Sequence, residues 1–156
     1  MFETTVDAWY VWLGVSLAGA AAFGVAASLP TTAPPDATAA ARVVDGVADS
    51  RYAATGEAPL SRATEIRLSP AGIGLRGAAG AAHASFRAES VTPVGRDERL
   101  RRVLDGARPG DAFAGPESFR AATRSARARA PAWRPAPETL RVRHVTWRGI
   151  DVTLVG

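Results

Sequence analysis

The chain has 156 residues, enough for one modest domain, and its 47% hydrophobic and 22% charged composition lies in the globular range. It contains no Cys, which excludes disulfides, thiolate nucleophiles and cysteine-ligated zinc or iron–sulfur centres. The net charge of +4 is unevenly placed: residues 1–30 carry Glu3 and Asp7 and no base, whereas residues 96–148 hold thirteen Arg against six acids, and every base is Arg.

From Ala8 to Leu29 there are 22 residues without a charge. At ~1.5 Å rise per residue they make a helix of roughly 33 Å, against about 30 Å of bilayer hydrocarbon. Trp9, Tyr10 and Trp12 cluster at its start, where amphipathic rings favour an interface, and Pro30, Pro34 and Pro35 follow its end. Ala26-Ala27-Ser28 would serve as a signal-cleavage site, but the preceding "MFETTVD" is acidic and the apolar run is long for a signal. The expectation is a short N-terminal tail and a retained transmembrane helix within residues 1–29. Two rows of small residues repeat at every fourth position, Gly14, Ala18, Ala22 and Ser16, Ala20, Gly24. Such rows let helix backbones approach closely, so helix association and a homo- or hetero-oligomer are expected.

"PTTAPP" at 30–35 reads as an extended linker to a small domain over 36–156. Asp36 caps a helix running to about Ser50, with Val43, Val44 and Val47 on one side. "YAATGEAPLS" reads as a loop. In "ATEIRLS", Thr64, Ile66 and Leu68 alternate with Glu65 and Arg67 as in a half-buried strand. A turn through Pro70 leads to the return strand "IGLR", and "AHASFRAESV" is a third strand with Ala82, Ala84, Phe86 and Ala88 on one face. "RDERLRRVLDG" is a short helix closed by Gly106, and a second begins at Pro116 with Phe119, Ala122, Thr123, Ala126 and Ala130 on one face. The chain then makes a hairpin turning at Arg148-Gly149. The predicted fold class is α+β: the transmembrane helix, then a small domain with an antiparallel sheet of about five strands and two to three helices.

"GIGLRG", Gly72 to Gly77, matches a dinucleotide fingerprint, but Ser69-Pro70 breaks the approach and Ile73 and Leu75 alternate as in a strand. His83 and His144 have no acid or second His at ligand spacing, and no nucleophile signature appears. No catalytic residue, cofactor or metal ligand is therefore assigned, and the expectation is not an enzyme. Arg120, Arg124, Arg127, Arg141, Arg143 and Trp147 form a possible interaction face, with Trp133 and Arg148 near it. A solvated helix face with its Arg paired to carboxylates explains the same residues first and a protein contact second; anionic lipid or nucleic acid is the less favoured alternative, as a tethered binding module.

"VDAWYVWLG", the Pro-rich exit, "RLRRVLDGA" and the closing "VTWRGIDVTLVG" together resemble an uncharacterised family of small single-span membrane proteins from halophilic archaea. Genes of that family lie beside type II/IV secretion (pilus-type) ATPases. The resemblance implies an accessory or pilin-like subunit of a surface appendage or secretion apparatus. It further implies a single-pass protein of the cell membrane, surrounded by lipid, its helix packed on other membrane or pilus subunits and its carboxyl-side domain extracellular. The chain lacks the basic leader of a type IV pilin, which favours the accessory role.

Overall fold

A computed structural model describes the backbone of residues 6–28 and 33–156, and within the first helix the side chains from Trp9 to Gly24. The chain forms two compact units, Met1–Ala33 and Pro34–Gly156. The first consists of helix α1 (Val6–Ser28). Pro30, expected to stop it, lies outside the described residues.

The transmembrane span expected here is overturned: among the described residues no helix is long and apolar enough to cross a membrane. Residues that are small or polar interrupt the stretch from Trp9 to Gly24. Gly14, Ser16 and Gly19 within that stretch add almost no apolar surface. With the span fall the expected single-pass placement in the cell membrane and the extracellular placement of the second unit.

The second unit opens with α2 (Ala37–Ala48), whose Asp36 side chain accepts the Ala39 N–H at 2.8 Å as an N-cap. Then follow β1 (Ala54–Pro59), β2 (Glu65–Ser69), β3 (Gly72–Gly77), β4 (Gly80–Ser85) and β5 (Val91–Pro93). Next come α3 (Glu98–Leu104), α4 (Pro109–Ala112) and α5 (Pro116–Ala128), and the chain closes with β6 (Arg134–Pro135), β7 (Thr139–Trp147) and β8 (Ile150–Val155). The expected single sheet of about five strands is corrected to two sheets of four, ordered β1-β7-β8-β5 and β4-β3-β2-β6. The loop expected over "YAATGEAPLS" contains β1, which pairs antiparallel with β7, and β5 joins β8 in parallel.

Strand alternation divides the core in two. On the first sheet Leu140, Val142 and Val155 face α2 and the inner face of the second sheet, where Ile66, Leu68, Ile73 and Leu75 are buried. The opposite face carries Val145, Ile150, Val152 and Leu154 onto α3 and α5, around Leu100, Val103 and Phe119. With both faces covered, five of the six β8 residues are buried, the pattern of a central strand.

Helix ends are closed locally. Asp97 caps α3 by accepting the N–H groups of Arg99 and Leu100, at 3.0 and 3.1 Å. At its far end Gly106, with φ +122°, donates to the Val103 carbonyl at 3.1 Å and Ala107 donates to Arg102 at 2.9 Å, a Schellman closure. The β7–β8 hairpin turns through Arg148 (φ 48°) and Gly149 (φ 76°), the two left-handed residues of a type I′ turn.

Candidate interaction surfaces

Helix α1 presents apolar side chains to solvent all round. Trp9, Tyr10 and Trp12 are each more than 70% exposed, and Val11, Leu13, Val15, Leu17 and Phe23 are exposed too. At 100° per residue the row Gly14, Ala18, Ala22 and the row Ser16, Ala20, Gly24 lie about 200° apart, on nearly opposite faces. A Cβ at Gly14 or Gly24 would meet nothing within 4 Å, so both rows are open. Beside the second row a shallow groove of about 350 Å³ is lined by Trp9, Trp12, Leu13, Ser16, Leu17 and Ala20. Small residues form its floor and bulky ones its wall, the relief that accepts a ridge of another helix.

The residues of the expected Arg-rich face do not share one surface. Arg120 pairs with Glu117 on the outer side of α5, and Arg124 beside it is exposed without an ion pair among the described residues. Arg127 turns inward, its Nε donating to Thr92 Oγ1 at 2.7 Å and its Nη2 to the Ser90 carbonyl at 2.6 Å, and burial lowers its pKa from the ordinary value. Arg141, on β7, pairs with Asp105 at 2.8 Å. Arg143 donates to the Val103 and Ala107 carbonyls, neutralising the exit of α3. Trp147 stacks edge-on against Phe119 with centroids 5.9 Å apart. Four of the six, Arg127, Arg141, Arg143 and Trp147, are therefore engaged within the fold, leaving Arg120 and Arg124 as the outward pair.

The two histidines occupy different settings. His144 is buried on β7 with Nδ1 3.1 Å from Thr153 Oγ1 and Nε2 2.9 Å from Asp151 Oδ1, to which Thr146 also donates. Thr153 is fully buried, so a substrate has no path to its hydroxyl, and the cluster reads as a satisfied polar core. This grouping escaped the spacing rules because the acid lies across the hairpin, although the two-residue turn at Arg148-Gly149 fixes the pairing of 144 with 153. Among the described residues no group of three or more His, Asp or Glu could hold a metal ion.

His83 belongs to a grouping on the outer face of the second sheet that the sequence reading missed altogether. "GIGLRG" is strand β3 itself, and Gly74 at its centre leaves room for two rings. A Cβ there would come within 3.0 Å of the His83 ring and 3.1 Å of Trp133. The two rings meet edge-on at 6.1 Å, and the guanidinium groups of Arg76 and Arg67 lie 3.9 and 5.0 Å from the Trp133 centroid. Trp133 lies in "APAWRPAP", a Pro-rich connection whose only pairing is the two-residue β6, so no periodicity marked it.

A sequence profile described as Family of unknown function (DUF7283) matches residues 3–145. No curated protein matches the chain. No solved structure matches it either.

Proposed function

The chain belongs to the DUF7283 family of unknown function, and from that footing we propose a non-enzymatic accessory or pilin-like subunit of a surface appendage or secretion apparatus, assembling through α1. The observation that carries this reading is the exposed apolar surface of α1 with its two opposed rows of small residues. A helix apolar on every side is covered by something in its working state, and a helix with two packing faces takes a neighbour on each. Repetition of that contact builds a chain of subunits rather than a closed pair. The family match runs through both α1 and the second unit, so helix and domain belong to one inherited design. The proposal extends to an origin in halophilic archaea and a gene position beside secretion ATPases, which the sequence resemblance implies.

A binding module built on an Arg-rich face is the weaker reading, because Arg127 and Arg143 are committed to internal carbonyls.

The absence of native Cys makes the test direct. Single cysteines placed in turn along residues 9–24 of the full chain, treated with a short bis-thiol cross-linker, should give dimers in two maxima, at 14, 18, 22 and at 16, 20, 24. Uniform yield, or none, would count against assembly through α1.

A further inference from the structure

We propose that the outer face and open edge of the second sheet bind an extended acidic peptide segment of a partner protein, which adds as a strand beside β4 and sets its carboxylates against Arg67 and His83.

Strand β4 is the edge of its sheet, with β3 as its sole strand neighbour among the described residues. The Phe86 N–H bonds the Ala71 carbonyl at 2.9 Å, which continues the β3–β4 ladder and fixes its parity. Gly80, Ala82 and Ala84 bond toward β3, so the N–H and C=O groups of Ala81, His83 and Ser85 point to the open side. Exposed edges are ordinarily guarded by charges, Pro or bulges. Residues 78–85, "AAGAAHAS", contain neither Pro nor a carboxylate, Arg or Lys, and Ala81, His83 and Ser85 are all exposed. An unguarded edge of this kind is the template that strand addition uses.

The charge on the adjoining face selects the occupant. Arg76 is matched by Glu65 at 3.5 Å. Arg67 has no ion pair or hydrogen bond among the described residues, yet its guanidinium is held against Trp133. A guanidinium on an aromatic face keeps its N–H fork open in plane for a carboxylate, with little ordering left to do on binding. A groove of about 530 Å³ runs along this face, lined by Arg67, Ser69, Gly74, His83, Ser85 and Pro131, without an acid in its wall. Single-stranded nucleic acid fits less well, because guanidinium groups already lie against the Trp133 ring that a base would need. A nucleic acid would also leave the β4 backbone rungs unmade.

The probe is an acetylated, amidated peptide of four Val-Glu repeats, titrated into the full chain by calorimetry and amide hydrogen exchange. Saturable binding should slow exchange at Ala81, His83 and Ser85. Affinity should fall roughly tenfold or more with Arg67→Glu, and similarly when Lys replaces Glu in the peptide. A peptide N-methylated at alternate residues, which cannot donate the rungs, should lose binding with the protein unaltered. Arg67 is exposed, so an unchanged melting curve separates lost recognition from lost fold. No binding of the Glu peptide, equal binding of the Lys peptide, unchanged affinity in Arg67→Glu, or tighter binding of an oligothymidylate would each overturn the proposal. Cross-linking along α1 is untouched by these outcomes, so the two surfaces stand or fall separately.

Discussion

Asp45 Oδ1 accepts the backbone N–H of Arg87 at 2.9 Å, joining the middle of α2 to the segment that leaves β4. The same oxygen takes the Ala88 N–H at 3.3 Å, and Oδ2 takes the Arg87 Nε at 3.3 Å. Asp45 is only 4% exposed, so one buried carboxylate satisfies two backbone donors of the chain leaving β4. The second sheet is thereby tied to the helix that both sheets share.

Asp45→Ala should destabilise the second unit by about 2–3 kcal/mol, since it orphans those donors as well as removing the bonds. Asp45→Asn keeps one acceptor oxygen and should lose about half as much. Urea unfolding of each variant measures this; a loss under about 0.5 kcal/mol for the alanine variant would contradict the role given to the carboxylate.

Arg148→Asn should stabilise the protein. Arg148 holds φ at 48°, a conformation its Cβ disfavours, while Asn adopts it readily and Asn-Gly is the favoured type I′ pair. The expected gain is about 0.5–1 kcal/mol, read as a rise in Tm. A fall would mean that the Arg148 side chain makes a contact stronger than the backbone strain it bears.

Two glycines should respond oppositely to alanine. A Cβ on Gly77 would lie 2.0 Å from the Arg62 carbonyl oxygen, a backbone atom, so Gly77→Ala must push the turn before β2 away from β3. The cost should be about 2–3 kcal/mol. Gly46 lies within α2, where a Cβ meets nothing within 4 Å, and Gly46→Ala should add about 0.5–1 kcal/mol through helix propensity. Paired thermal melts of the two variants check both signs.

Local chemistry made parts of this fold readable in advance. The Asp36 cap, Pro116 at the first turn of α5, Gly106 closing α3 and the Arg148-Gly149 turn each rest on a few neighbouring residues, and each stands where the sequence places it. The alternation of Ile66 and Leu68 likewise identified the buried face of β2. Strands β1 and β5 were not legible, because "ATGEAP" and "VTP" carry no two-residue apolar pattern and owe their extension to partners about 85 and 62 positions distant in β7 and β8. The division into two sheets follows from those distant pairings. The basic segment misled in a different way: charge counts register how many Arg side chains there are and not which way they turn. Only the fold distinguishes Arg127, which ties α5 to β5, from Arg124, which faces solvent. Trp133 was hidden because its partners Arg67, Arg76 and His83 come from three other strands.

The central claim is that α1 mediates assembly through two opposed faces. It is tested most directly by sedimentation equilibrium of the full chain beside two double variants, Gly14→Leu with Ala18→Leu and Ser16→Leu with Ala20→Leu. Each fills one row while leaving the other and the second unit intact. The account predicts an extended series of oligomers for the parent chain, and for each variant a collapse to dimer or monomer as one face is blocked. A monomeric parent, or variants that assemble as the parent does, would contradict it.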